Sequence, residues 1–241
     1  MVKVVFFDAA GTLFDTRQPA GSIYAQVARR HGVNVTDQEV NAAFRRVFHA
    51  APGLAFGVGH SPQELRRLEK NWWRRLVEQT FSQLARFDDF DAYFEELFEL
   101  FAKPETWSPA PDALDVLQAL KRRNHISLGI ISNFDARVYG ILSAYGMLEY
   151  LDSVTISSEA GYAKPAPEIF RIALEKHSVA PNEALHVGDS PALDVQGASA
   201  VGIGAVLYDP RSQWRSAIPG AIGYVKSLQE LLSLVEVTGQ R

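Results

Sequence analysis

Four groups of polar residues lie at the predicted ends of apolar strands or in the loops that follow them. They are Asp8 with Gly11 and Thr12, Ser132 with Asn133, Lys164, and Asp189 with Asp194. A short apolar run such as residues 4–7 is typical of a strand buried on both faces of a parallel sheet. Because parallel strands point the same way, their carboxyl ends meet at one edge, where ligands bind in open α/β sheets. We therefore expect the four groups to form a single site.

The residue types in this predicted site suit the transfer of a phosphoryl group. Such a transfer needs a nucleophile, neutralisation of the charge on the phosphoryl oxygens, and a metal ion that holds the group. The Asp8 carboxylate can attack phosphorus and form an acyl phosphate. Asp8 and Asp189 offer the hard oxygen ligands that Mg²⁺ takes, and a bound cation relieves their mutual repulsion. Ser132 and Lys164 can bind the non-bridging oxygens.

Each of the four groups also has a purely structural interpretation. Ser132 and Asn133 can cap a helix that begins near residue 135. Lys164 can be a solvated loop residue, and the acids at 189 and 194 can be turn and helix-start residues. The occurrence of all four groups in this order along one chain favours a shared site.

The composition is that of an ordinary globular protein. Of the 241 residues, 47% are hydrophobic and 22% are charged, and the formal net charge is -4. This charge gives no reason to expect a nucleic-acid partner. Cysteine is absent, so disulfides and thiolate metal sites are excluded. No apolar stretch approaches the ~20 residues of a membrane span, and the first apolar run is too short for a signal peptide. We expect a cytoplasmic protein, monomeric or homodimeric, with no membrane partner.

The order of predicted elements indicates an α/β fold with a parallel sheet. Apolar, strand-like runs alternate with helical patterns at the start of the chain and again beyond about residue 107. Besides 4–7, the predicted strands are 126–131, 153–156, 184–187 and 203–207. The predicted helices lie near 112–123, 135–145, 167–177, 191–200 and 225–237. We expect a Rossmann-like parallel sheet flanked by helices.

A segment without a convincing strand separates the first predicted strand from the others. Thr36 to Glu39 and Ser61 to Glu64 have the form of helix capping boxes, and apolar residues at helical spacing follow the second of them. The prolines that begin at Pro104 indicate an extended connection where this segment ends. We predict a core formed by residues 1–15 and 106–241, with an all-helical cap domain at 16–105.

The motifs resemble those of the haloacid dehalogenase superfamily over nearly the whole chain. The residues at the four motif positions are Asp8, Ser132, Lys164 and Asp189. The sequences Asn133-Phe134-Asp135 and Lys164-Pro165 are most similar to small capped hydrolases of the rhythmically-expressed-gene type. The resemblance implies a Rossmann-like core with an inserted helical cap, Mg²⁺ as cofactor, and a small phosphorylated metabolite as substrate.

The resemblance also implies a role for each motif residue. Catalytic roles are implied for Asp8, Thr12, Ser132 and Lys164. Substrate phosphate binding is implied for Gly11, Ser132, Asn133 and Lys164. The implied metal ligands are Asp8, the backbone carbonyl of Ala10, and Asp189. Asp194 is implied to support these ligands without contacting the ion.

Ala10 departs from the pattern of the family's phosphatases. They have a second aspartate two residues after the nucleophile, where it donates a proton to the leaving group and activates the hydrolytic water. A methyl side chain cannot move a proton, and a positioned acid or base contributes about 10²–10⁴ in rate. We expect a phosphatase that is slow unless its leaving group needs no proton, as with aryl or acyl phosphates.

Three other functions are compatible with the motifs. A phosphonatase-like hydrolase of carbon–phosphorus bonds tolerates Ala10 but needs a cap lysine for a Schiff base, for which the predicted cap offers Lys70 and Lys103. A haloacid dehalogenase attacks carbon without a metal, but Asp189 and Asp194 would repel the carboxylate of its substrate. A phospho-ligand-binding protein without turnover is the third.

Overall fold

A computed structural model describes residues 1–123, 125–214 and 216–238. Six parallel strands form its main sheet, in the order β5-β4-β1-β6-β7-β8. They are β1 Val4–Phe7, β4 Ser127–Ser132, β5 Ser153–Ile156, β6 Ala184–Gly188, β7 Gly204–Tyr208 and β8 Ala221–Val225. The helices beside this sheet are α5 Ala113–Lys121, α6 Arg137–Ala144, α7 Ser157–Ala160, α8 Pro167–His177, α9 Gly197–Ala200 and α10 Leu231–Thr238. This is an α/β, Rossmann-like fold, as predicted.

Both faces of the main sheet are covered by helices. On one face, strand residues such as Val5 and Phe7 belong to an apolar cluster that includes residues of α5, α6 and α10. On the other face, Val4 and Phe6 pack with residues of α8 and α9. Successive strand residues point to opposite faces, so a strand that is apolar at every position is buried on both. The uninterrupted apolar run of β1 is explained by its central place in the sheet.

The chain between the first strand and the rest of the sheet is mostly helical. Its helices are α1 Ala20–Arg30, α2 Asp37–Ala50, α3 Pro62–Phe81 and α4 Phe90–Leu100. Both predicted capping boxes are present, at the start of α2 and of α3. The helices share an apolar cluster of their own, to which Tyr24, Leu76 and Tyr93 belong. The division into two domains at residues 15/16 and 105/106 stays a prediction.

Two short strands join the ends of the helical segment. They are β2 Phe14–Thr16 and β3 Trp107–Pro109, which pair antiparallel with Phe14 opposite Pro109. Neither was predicted, since three-residue strands are too short to show a periodic pattern. The pairing places the entry to the helical segment and the exit from it side by side.

The predictions for the last part of the chain were wrong in one place, the start of the closing helix. Strand β8 was not predicted, and it occupies the region where the closing helix was expected to begin; that helix begins at Leu231. The predicted helix over 191–200 consists of a wide π-helical stretch, Pro191–Gln196, followed by α9. No helix among the described residues is long and apolar enough to cross a membrane.

Candidate active site

Asp8 lies directly after β1, at the carboxyl edge of the sheet. Its backbone N–H continues the sheet by donating to the Val187 carbonyl at 2.8 Å. Because β1 lies between β4 and β6, the residues that end those two strands flank Asp8. The side chain of Ser132, at the end of β4, forms a hydrogen bond with the Asp8 carboxylate. Burial raises the pKa of Asp8, while the ammonium of Lys164 acts to lower it.

Lys164 joins two of the predicted acids. Its Nζ lies 2.9 Å from Oδ1 of Asp8 and 2.5 Å from Oδ1 of Asp194, and its side chain is only 1% exposed. Burial alone would lower the pKa of this lysine, but the carboxylates of Asp194 and Asp8 raise it above its usual value. A buried ammonium between two carboxylates is a fixed positive charge. The interpretation of Lys164 as a solvated loop residue was wrong.

Asn133 holds the loop that carries Lys164. Its side-chain Nδ2 donates to the Lys164 carbonyl at 2.9 Å, and its Oδ1 accepts from the Lys164 backbone N–H at 2.7 Å. These two bonds connect the end of β4 to the lysine loop. The Asn133 side chain therefore orients Lys164, and the predicted contact of residue 133 with the substrate phosphate stays a prediction.

Asp194 accepts bonds from three groups. Its Oδ1 lies 2.8 Å from Nε2 of His186 as well as close to Lys164, and its Oδ2 accepts from the Ser190 backbone N–H at 2.9 Å. Burial acts to raise the pKa of Asp194, but Lys164 and His186 hold it well below the usual range. His186 is fully buried in β6, and its Nδ1 has no hydrogen-bond partner. His186 was not predicted as a site residue, because one histidine within an apolar strand is indistinguishable from a core residue.

Asp189 completes a cluster of three carboxylates. Ligand atoms of Asp8, Asp189 and Asp194 all lie within 4.8 Å of one another. Burial, and then the charges of Asp8 and Asp194, raise the pKa of Asp189 to about 7. Gly11 packs against this cluster with a positive φ of 93°, and a Cβ built there would lie 2.7 Å from the Asp189 carboxylate. Only glycine fits both the backbone conformation and the space.

Thr12 and Ala10 occupy different surroundings on the same loop. The Thr12 side chain is buried, and its Oγ1 has no hydrogen-bond partner. The Ala10 side chain forms part of the wall of an apolar cavity beneath the helical segment.

The structure brings together the side chains of Asp8, Ser132, Lys164, Asp189 and Asp194, as predicted.

A second cluster, not predicted from the sequence, links α3 to the loop after β4. Asp135 is buried, and its two carboxylate oxygens accept from Nε and Nη2 of Arg137 at 2.8 and 2.6 Å. The indole N–H of Trp73, on α3, donates to the same carboxylate at 2.6 Å. The Arg137 guanidinium also lies 4.2 Å from the centre of the Phe98 ring on α4. These contacts fix the helical segment against the loop that carries Ser132.

We expect Asp135→Asn to lower the free energy of unfolding by about 3–5 kcal/mol, because it leaves the guanidinium of Arg137 buried without its counter-charge. Arg137 and other contacts hold the pKa of Asp135 below its usual value despite burial. The stabilisation is therefore present above the unfolded pKa of about 3.9 and is lost as the pH falls below it. Urea unfolding at pH 7 and at about pH 2, well below the unfolded pKa, measures the difference.

The matched control is Glu95→Gln. Glu95 pairs with Lys70 at 2.6 Å, but the two side chains are 49% and 40% exposed. Exposed pairs contribute about 1 kcal/mol or less. Equal effects of the two substitutions would contradict the importance of the buried pair.

Comparison with known proteins decides the family. The model of haloacid dehalogenase-like hydrolases matches residues 2–202. The chain belongs to this family. A relative from Mus musculus, haloacid dehalogenase-like hydrolase domain-containing protein 3, is 34% identical and covers 98% of this chain and 94% of its own. The rhythmically expressed gene 2 protein of Drosophila melanogaster is 28% identical, over 87% of this chain and 84% of its own.

Solved structures of haloacid dehalogenase-like proteins share the architecture. A phosphatase of this family from Thermococcus onnurineus superposes with a TM-score of 0.66 at 26% identity, over 98% of both chains. The L-2-haloacid dehalogenase of Xanthobacter autotrophicus gives a TM-score of 0.73 at 19% identity, over 98% of this chain and 99% of its own, which supports the fold alone. The chain is thus a haloacid dehalogenase-like hydrolase, and such hydrolases act on small molecules, typically with a divalent metal ion.

Proposed function

We propose that this haloacid dehalogenase-like hydrolase is a Mg²⁺-dependent phosphatase that acts on a small phosphorylated metabolite through an aspartyl phosphate. The observation that carries the proposal is the position of the Lys164 ammonium, 2.9 Å from Oδ1 of Asp8 and bound to Asp194. A fixed positive charge beside a carboxylate is suited to hold the oxygens of an incoming phosphoryl group.

The carboxylates of the site fit a hard divalent cation. We propose that Asp8, Asp189 and the Ala10 backbone carbonyl would hold Mg²⁺, with Asp194 supporting the site through Lys164. Repulsion within the cluster raises the pKa of Asp189 to about 7, and a cation between the carboxylates would relieve it. When bound, Mg²⁺ supplies charge neutralisation on the phosphoryl oxygens.

The reaction takes two displacements at phosphorus. An oxygen of Asp8 forms a bond to phosphorus as the bond to the leaving oxygen breaks, and an acyl phosphate results. Water then attacks phosphorus, the bond to Asp8 breaks, and inorganic phosphate leaves. Lys164, Ser132 and Thr12 are proposed to bind the phosphoryl oxygens together with the backbone at Gly11 and Asn133. The unpartnered Thr12 hydroxyl leaves a hydrogen bond available for this role.

We propose further that residues 16–105 form a cap domain over a core of 1–15 and 106–241. The helical segment has its own apolar cluster, and its two ends meet at the β2–β3 pair. The phosphonatase alternative finds less support in the cap, since the ammonium of Lys70 is paired with Glu95 at the surface. Because Ala10 provides no acid or base, a second candidate function is a phospho-ligand-binding protein without turnover.

The direct test is phosphate release from a panel of phosphorylated compounds that includes acetyl phosphate, p-nitrophenyl phosphate and glycerol phosphate. We expect release in the presence of Mg²⁺, and a loss of at least about 10²-fold when EDTA removes the metal, because the carboxylate cluster then repels the dianion. Binding of the compounds without release would favour the non-catalytic alternative. Release of chloride from 2-chloropropionate that persists in EDTA would contradict the phosphatase assignment.

A further inference from the structure

An apolar cavity of about 220 Å³ lies between the site loops and the helical segment. The loop after β1 contributes Ala10 to its wall, and the loop after β4 contributes Phe134. The helical segment supplies most of the remaining wall, chiefly aromatic rings: Phe44, Phe48, Trp73, Phe94 and Phe98. The cavity is thus adjacent to the loops that follow Asp8 and Ser132.

The cavity has the size and lining of a binding site for one aromatic ring. A cavity of about 150 Å³ lined by apolar side chains is large enough to bind benzene. Aromatic side chains bind a ring through edge-to-face and offset-stacked contacts. The volume here therefore accommodates a ring with one or two small substituents.

The charged residues in the cavity wall indicate that the ring is uncharged. They are Arg137 and Asp15. The Arg137 guanidinium is held by both carboxylate oxygens of Asp135, so its charge is neutralised. Asp15 would repel an anionic substituent. A ring that carries a carboxylate or phosphate substituent is thereby disfavoured as an occupant of the cavity.

We propose that the cavity binds the leaving group of the substrate and that this group is a neutral aryl group, so that the substrate class is aryl phosphates. This inference rests on the proposed phosphatase function and adds the chemistry of the alcohol portion. It also accounts for Ala10: a methyl group completes the apolar wall, and a phenol, with a pKa of about 10, leaves as an anion more readily than an alkanol, whose hydroxyl is about as weakly acidic as water at about 16.

Binding of two phosphonates in the presence of Mg²⁺ tests the proposal without any turnover. Phenylphosphonate and methylphosphonate present the same anionic group, and only the first carries a ring. We expect calorimetry to show phenylphosphonate binding at least ~10-fold more tightly, since a filled apolar pocket discriminates by about 10–200-fold for a small group. Equal dissociation constants, or no binding of phenylphosphonate, would overturn the inference.

Two variants locate the ring. Ala20, at the start of α1, lines the cavity, and Ala20→Leu should reduce the preference for phenylphosphonate to less than ~3-fold by filling the space. Phe48 also lines it and is 45% exposed, so Phe48→Ala removes a wall with little risk to folding and should weaken phenylphosphonate alone. The matched control is Ala42→Leu, on the exposed face of α2, which should change neither constant. An unchanged preference in both cavity variants would contradict the placement of the ring.

Acetyl phosphate distinguishes this inference from the proposed function. Its leaving group needs no proton and has no ring, so the proposed phosphatase should release phosphate from it in wild type and in the control variant Ala42→Leu alike. Release from acetyl phosphate combined with equal phosphonate affinities would reject the aryl pocket and retain the phosphatase. Absence of release from every compound, with phenylphosphonate still preferred, would reject turnover and retain the pocket.

Discussion

Replacement of Asp8 by Asn is expected to reduce phosphate release by at least about 10³-fold, the largest loss among the substitutions considered. The neutral amide is nearly the same shape as the carboxylate, but it cannot form the acyl phosphate, and effects of this size follow removal of an enzyme's nucleophile. The substitution also removes one carboxylate of the cluster and one partner of the Lys164 ammonium.

The measurement is phosphate release from acetyl phosphate, together with intact-mass spectrometry after rapid acid quenching. A phosphorylated species is expected in wild type and not in Asp8→Asn. Asp115→Asn is the matched control, since it makes the same change at an exposed carboxyl on α5. If the Asp8 variant kept its rate within tenfold, Asp8 would not be the nucleophile.

Replacement of Ala10 by Asp is expected to increase turnover of an alkyl phosphate such as glycerol phosphate by at least about 10-fold. A positioned general acid contributes about 10²–10⁴ when the leaving alkoxide needs a proton. Residue 10 lies two positions after Asp8 and partly buried in an apolar wall, which would raise the pKa of a carboxyl placed there and favour its acid form.

Comparison of substrates and of a second variant separates proton transfer from other effects. The gain should be smaller for p-nitrophenyl phosphate, whose leaving group departs without a proton. Ala10→Asn adds the same volume and polarity without an acid, so it should give no gain. An equal increase in Ala10→Asn and Ala10→Asp, or no increase in either, would show that the missing acid does not limit the rate.

Much of the site could be predicted because its residues follow strands with a strong local signal. The apolar run before Asp8 predicts a buried strand, and parallel strands bring their carboxyl ends to one edge. Ser132, Lys164, Asp189 and Asp194 surround Asp8 at this edge of the sheet. Interpretation of a residue taken alone was less reliable. Lys164 alone could be a solvated loop residue, but its side chain is buried between Asp8 and Asp194.

The residues that the sequence did not reveal act through contacts between distant segments. His186 supports Asp194 from within a strand, and Trp73 reaches the carboxylate of Asp135 across 62 positions of the chain. The bonds of the Asn133 side chain were also not predicted, because their partner is a backbone 31 residues away. Strands β2 and β3 have three residues each, too few for a periodic pattern, so their pairing could not be predicted.

The fold class, the helical insertion and the order of the four motifs could be read from the residues alone, because hydrophobic periodicity and capping residues are local properties. The depth of burial of Lys164, the partners of Asn133 and Asp194, and the aromatic cavity beside Ala10 became visible in the folded chain. Those properties depend on contacts between segments that are distant in the sequence, such as those between α1–α4 and the loops of the sheet. Packing in three dimensions sets these contacts.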